Sequence, residues 1–316
     1  IERSKMIYEK KNDTYRSKLF LYFFSTILLF LVSFVKFGKA EEHELSFSLE
    51  EFKTVLTKNY NPEDAIFQFY RLRAYEPFWF KNAKARNELY QAIEETFSHG
   101  LPYLRYNRTR LSELELNKNY YNFEVLATET FISIASDLYS GSVKPGELSD
   151  KINITVNNLD VDLLFNRLGA TSDKNVMKTL FSFAPKSSDY NNLLIEKQRL
   201  EYIIGENGWG AVVPENVFLG YRLKHPNVAH LRSRLYRMGY LTHDSMSDFY
   251  DAELKASVQL FQADFGLNDD GVAGKHTLQA MNVSAETRLV QVIVNLERIR
   301  WNNAPTEGKY IFVNQP

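Results

Sequence analysis

From Leu45 to about Gly220, apolar residues recur at the spacing of helices and show no sustained strand-like alternation. Leu89, Ile93 and Phe97 form one stripe that ends at Gly100, and Leu126, Phe131, Ile134 and Leu138 form another that ends before Gly141. In "FSLEEF", Ser48 reads as an N-cap, Glu51 as its capping-box partner, and Phe47 and Phe52 as a hydrophobic staple. "NPED" predicts a second start, with Asn61 as cap and Pro62 at the first helical position. Further helices fit 160–168, 173–183 and 189–205, with the turn-rich linkers "GSVKPGELSD" and "FAPKSSD" among them. The pattern predicts an irregular, mainly α-helical domain over residues 41–222, without repeats or low-complexity tracts.

Pro226 opens a different unit. Val228, Leu231, Leu235 and Met238 share one helical face that Gly239 can stop. Leu254, Val258, Phe261 and Phe265 share another, with Asp251 as cap and Gly266 as stop, and a third, short helix fits Lys275 to Met281. Three short helices over 223–283 make a module that needs a neighbour for stability. The segment 284–304 then reads as an amphipathic connecting helix through Leu289, Val292, Ile293, Leu296 and Ile299, and "KYIFVNQP" within 305–316 begins the alternation of a strand.

The N-terminus adds an address. Residues 1–18 carry Arg3, Lys5, Lys10, Lys11, Arg16 and Lys18, and an uncharged run follows from Leu19 to Val35. A basic flank before an apolar run reads as an export signal or a signal anchor over 19–40, with Gly38 and Ala40 set for cleavage after Ala40. Cleaved signal and retained anchor both remain open, and either puts the rest of the chain outside the cytoplasm. The sequence of 316 residues is 44% hydrophobic and 14% aromatic, enough for a sizeable core, and its net charge of −1 gives no general case for nucleic-acid binding. It has no cysteine, which excludes disulfides, thiolate metal sites and cysteine catalysis by these residues. Six scattered histidines without an H-E-x-x-H spacing make a metal site unexpected, and no cofactor motif is present. Adjacent carboxylates such as Glu94/Glu95 and Asp269/Asp270 read as solvated faces. Arg232, Arg234 and Arg237 in "RSRLYR" read as the outer, solvated face of their helix, with contact to anionic ligands as the alternative.

The stretch "VQLFQADFGLNDDGVAGKHTLQAMN", Val258 to Asn282, is more specific as a whole than in its parts. Asp270 and Gly271 favour a tight turn with positive φ, Gly274 lets the third helix start close to a neighbour, Thr277 can bond the backbone, and Phe261 and Phe265 fill the core. Together with "VAHLRSRLYRMGYL", it resembles the peptidoglycan-binding module of bacterial cell-wall enzymes, whose pattern V..LR.RL...G, AV..FQ and GL..DG..G..T...LN it follows with Ser257 where Ala is usual. The flanks "GENGWGAVVPENVFLGYRLKHPNVAHLRSRL" and "VNLERIRWNNAPTEGKYIFVNQP" resemble the large, periplasmic type of L,D-transpeptidase, in which an "NLER-RW" helix leads into the first strand of a catalytic domain. The resemblance implies a role in 3→3 cross-linking of peptidoglycan, a location in the periplasm of a Gram-negative envelope, and peptidoglycan stems or glycan as the partner, with the inner membrane added if the signal is retained. In that family a cysteine of an S-H-G-C-x-R motif attacks a stem-peptide carbonyl. No residue of this sequence matches it, so no catalytic residue is carried over. The chain is expected to be the N-terminal scaffold and wall-binding portion of such an enzyme, ending at the start of the catalytic domain. The alternative is a complete, non-catalytic peptidoglycan-binding or anchoring protein. A ligand groove is expected between the first two module helices and the "DGVAG" loop. In it, Arg232 would meet a stem carboxylate, Gln262 an amide and Asp270 an amine. The competing expectation is that Gln262 and Asp270 only brace and cap the turn.

Overall fold

The computed structural model describes residues 47–148, 154–170 and 175–302. The expected basic segment 1–18, the signal or anchor at 19–40 and the strand at 305–316 lie outside them. Among the described residues the chain is mainly α, as its spacing predicts, and no helix is long and apolar enough to cross a membrane. The described residues from Leu49 onward cluster as one compact unit.

The first part of the fold contains α1 (Leu49–Asn59), α2 (Ala65–Leu72), α3 (Ala83–Glu95), α4 (Arg108–Leu116), the long α5 (Tyr120–Ser140), the single turn α6 (Pro145–Leu148), α7 (Val161–Ala170), α8 (Val176–Phe181) and α9 (Ser188–Gly205). Two starts differ from expectation. The "NPED" helix begins at Ala65, not Pro62, because the Asp64 carboxylate accepts from the Asn61 N–H at 2.7 Å and closes a turn before the helix. α8 begins at Val176, where the Asn175 side chain accepts from the Lys178 N–H. Phe97 is not part of the α3 core stripe. α3 ends at Glu95, and the turns that follow leave Phe97 52% exposed under the Lys197 ammonium.

α5 is the axis of this part, burying Phe123, Phe131, Ile134 and Leu138. It also buries a carboxylate. Glu124 is fully buried and accepts the backbone N–H groups of Phe78, Trp79 and Phe80, so it serves as the missing acceptor for the "EPFWF" loop. Tyr70 and the Trp79 indole meet beside it on the Thr128 hydroxyl. Burial holds the Glu124 carboxyl above the usual carboxylate range, although the three N–H bonds oppose that shift.

α10 (Pro226–Met238), α11 (Ala252–Asp264) and α12 (Lys275–Asn282) form the small module, and α13 (Ala285–Trp301) returns along α9. The expected apolar stripe of α13 is there, with Val292 and Leu296 buried, but its last turn docks through polar groups. Arg300 is fully buried and donates to the His99 carbonyl and the Tyr190 hydroxyl, both at 3.0 Å, and to Glu297. Glu297 accepts the Val143 N–H, and the Trp301 indole donates to the Val143 carbonyl at 2.7 Å. Gly141, at φ +90, lies directly beneath: a Cβ there would come within 2.7 Å of the Glu297 carboxylate and 2.8 Å of the Trp301 ring. The glycine that stops α5 is thus also the floor of this clamp.

His99 sits in the same junction, stacked on Phe181 and bonded through Nδ1 to the Tyr190 hydroxyl. Burial, then the charges of Arg300 and Lys197, push its imidazole down to about 4. An imidazole held below its unfolded value of 6.5 carries stability that is complete above pH 6.5 and is lost as the pH falls through about 4. The thermal midpoint is therefore expected to drop across that window, and His99→Gln to flatten the drop. Parallel curves for the two proteins would contradict this.

Candidate functional site

The module core is built from the residues that its spacing marks. Val228, Leu231, Leu235, Leu254, Val258, Phe261, Leu278 and Met281 are all buried. Asp251 caps α11 by accepting the Leu254 N–H at 2.8 Å, and α10 stops at Gly239. Phe265 departs from expectation: α11 ends at Asp264, and the ring is left 39% exposed, tilted against Phe261.

The arginines of α10 are not a solvated face. Arg232 is 1% and Arg234 2% exposed. Arg232 donates to the Phe249 carbonyl and to Asp251, so one carboxylate both caps α11 and fastens α10 to it. Arg234 donates to the carbonyls of Gly210, Ala211 and Met281, and Arg237 to those of Glu206 and Gly208. The incoming segment 206–211 carries carbonyls without helical partners, and a planar cation with five donors satisfies several at once. Sequence reading missed this because a buried arginine and a surface arginine have the same periodicity.

Gln262 occupies the centre of the "DGVAG" loop. Its Nε2 donates at 3.0 Å to Asp270, to the Val272 carbonyl and to the Thr277 hydroxyl, and its Oε1 accepts the Gly271 N–H. Thr277 in turn bonds the Val272 carbonyl. Asp270 is exposed, and the Val272 N–H and the Gln262 amide hold its carboxyl below the usual range. Gly271 takes φ +72, and a Cβ there would meet the Lys255 side chain at 2.7 Å. Gly274 is less constrained than expected. Its φ is negative, and a Cβ would make ordinary contact with Phe218 at 3.8 Å. The structure therefore brings Gln262 and Asp270 together, while Arg232 is engaged with the Phe249 carbonyl and Asp251. Gln262→Ala is expected to cost the module about 1–3 kcal/mol through the orphaned loop groups, read as a lower melting temperature. An unchanged midpoint would refute the bracing role.

The loop supports an outer face that the sequence reading did not single out. Segment 217–223 runs beside it, joined by the antiparallel bridge Leu219–Ala273, while a second bridge, Lys224–Phe249, ties its end to the start of α11. This pairing turns Phe218 and Tyr221 outward, 72% and 48% exposed. Phe218 lies over Gly274, and Tyr221 is flanked by the cations of Arg222 and Lys255 at 5.2 and 5.9 Å. Two open rings beside a glycine-rich loop, with cations at one end and the Asp270 carboxylate near Gln262, suit a ligand with flat apolar faces, amides and charged ends. Among the described residues no group of His, Asp and Glu comes together to hold a metal ion.

Two family models match the chain. One, described as "Scaffold domain", covers residues 64–196, and the other, described as "Putative peptidoglycan binding domain", covers residues 224–281. A comparison with curated proteins finds no match. The chain thus carries a scaffold domain followed by a peptidoglycan-binding module, an order that an L,D-transpeptidase-like architecture shares, and its role is related to the cell wall.

Proposed function

We propose that the chain grips peptidoglycan through the Phe218–Tyr221 face and holds a rigid scaffold against it, as the scaffold and wall-binding portion of the L,D-transpeptidase system that forms 3→3 cross-links in the periplasm. The observation that carries the reading is the match of residues 224–281 to a peptidoglycan-binding family on a module with two exposed rings beside its glycine loop. The scaffold match and the clamped "NLERIRW" helix support the finer part. The sequence contains no cysteine, so the proposal concerns binding and placement, and thiolate attack is no part of it. Within the face, Asp270 is proposed to meet a stem amine. Arg232 and Gln262 act behind it by holding α11 and the loop in place.

The test is co-sedimentation of the full chain with purified sacculi. Phe218→Ala combined with Tyr221→Ala is expected to weaken pelleting several-fold, as for exposed aromatic anchors, with the melting temperature nearly unchanged. Pelleting equal to that of the unaltered chain would overturn the face. No pelleting by the unaltered chain would overturn the wall-binding reading itself.

A further inference from the structure

α9, the module and α13 meet around a cavity of about 380 Å³, within the range of about 300–1,000 Å³ usual for small-molecule sites. It lies apart from the Phe218–Tyr221 face, and neither ring lines it. One wall is apolar and aromatic, with Tyr240, Phe265 and Val292 among its residues. Trp209 forms another part of the lining, and its buried indole N–H has no acceptor among the described residues, so this wall lacks the polar closure of a finished core.

The cations of the cavity are not equivalent. Arg199 is already paired with Glu196 through two 2.8 Å bonds. Arg288 stacks on Phe265 at 4.6 Å and donates only to neutral oxygens, those of Gln291 and of the Ala280 carbonyl, and no carboxylate pairs with it among the described residues. Two turns further along α13, Asn295 presents an amide that makes no hydrogen bond among the described residues. The site therefore offers one uncompensated planar cation, one open amide and an aromatic wall. A phosphate dianion would meet a single unpaired guanidinium beside the Glu196 carboxylate. A purely apolar ligand would cover Arg288 and Asn295 without bonding either. A planar monoanion joined to an amide satisfies both.

We propose that this cavity takes the C-terminal end of a short peptide, its free carboxylate on Arg288, its last peptide group on Asn295 and its side chain against Phe265 and Val292. The proposal rests on the wall-binding reading only for the source of the peptide, since stem peptides end in such a carboxylate.

The probes are diacetyl-L-lysyl-D-alanine and its C-terminal amide, titrated calorimetrically into the full chain. The acid is expected to bind saturably, and the amide at least tenfold more weakly, the scale of one charge-assisted hydrogen bond. Arg288→Gln should reduce acid binding to the level of the amide while leaving amide binding and the melting temperature unchanged, and Arg288→Lys should recover part of the loss. Asn295→Ala, at an exposed position, should weaken acid and amide alike. Equal binding of acid and amide would overturn the proposal, as would no binding of either at millimolar concentration. So would an Arg288→Gln protein that melts earlier and loses both ligands together, the signature of a mere brace for α12. Sacculus pelleting separates this from the outer face, because Arg288→Gln leaves Phe218 and Tyr221 in place. Competition gives the source: pelleting reduced by the acid marks wall stems as the occupant, and pelleting unchanged marks free peptides.

Discussion

Arg300→Ala is expected to lower the unfolding free energy by about 3–5 kcal/mol, the usual cost of removing one partner from a buried charged pair. The guanidinium is fully buried and holds the His99 carbonyl, the Tyr190 hydroxyl and Glu297 together. Its loss strands Glu297, which is only 12% exposed, and leaves a void between α9 and α13. For a chain of this size each kcal/mol shifts the midpoint by roughly 2–4 °C, so thermal denaturation reads the effect easily. Arg298→Ala, two residues away on the exposed side of the same helix, should stay within about 0.5 kcal/mol of the unaltered protein. Arg300→Lys should recover little, because a single ammonium cannot span the same acceptors. A midpoint for Arg300→Ala equal to that of Arg298→Ala would dismiss the clamp.

The second large effect belongs to Glu124. Glu124→Ala removes the acceptor of three consecutive backbone N–H groups, of which those of Phe78 and Trp79 belong to fully buried residues. Each orphaned group costs about 1–3 kcal/mol. The sum approaches the whole stability of an ordinary domain, roughly 5–15 kcal/mol, so the expected outcome is a chain that does not hold the "EPFWF" loop and exposes Trp79 to quenchers. Glu124→Gln keeps one oxygen and the shape, and is expected to fold with a smaller loss. Full protection of Trp79 in the alanine variant would refute the role.

These two residues also mark where sequence reading stops. Helices with an apolar stripe and a small-residue stop were legible: α5, α10, α11 and α12 lie close to where periodicity and glycine put them, because burying a stripe and ending a helix are local demands. Glu124, Arg232, Arg234 and Arg300 were not. Each is a charged residue, a type that sequence reading assigns to solvent, and each is buried because a carbonyl or N–H from a remote segment needs it there. The loop glycines were readable as turns, yet Gly141 could be understood only once Glu297 and Trp301 lay on top of it. The outer face escaped for a similar reason: Phe218 and Tyr221 show no periodicity, and only the bridge from Leu219 to Ala273 turns them outward.

The arginine staples of α10 have a mechanical consequence. A recognition module on a slack tether contributes local concentration alone and is free to swivel. Here the stretch after α9 is pinned at each step: Arg237 on Glu206 and Gly208, Arg234 on Gly210 and Ala211, and Asn282 on Val213 at 2.8 Å. α13 then runs back from α12 along α9 and locks at Arg300 and Trp301. The load path between the outer face and the long helices is thus a stiff bracket, anchored at both of its ends. If the face grips a polymer as proposed, the scaffold takes up a heading as well as a position, and tension along that polymer would reach α9 and α13 as torque.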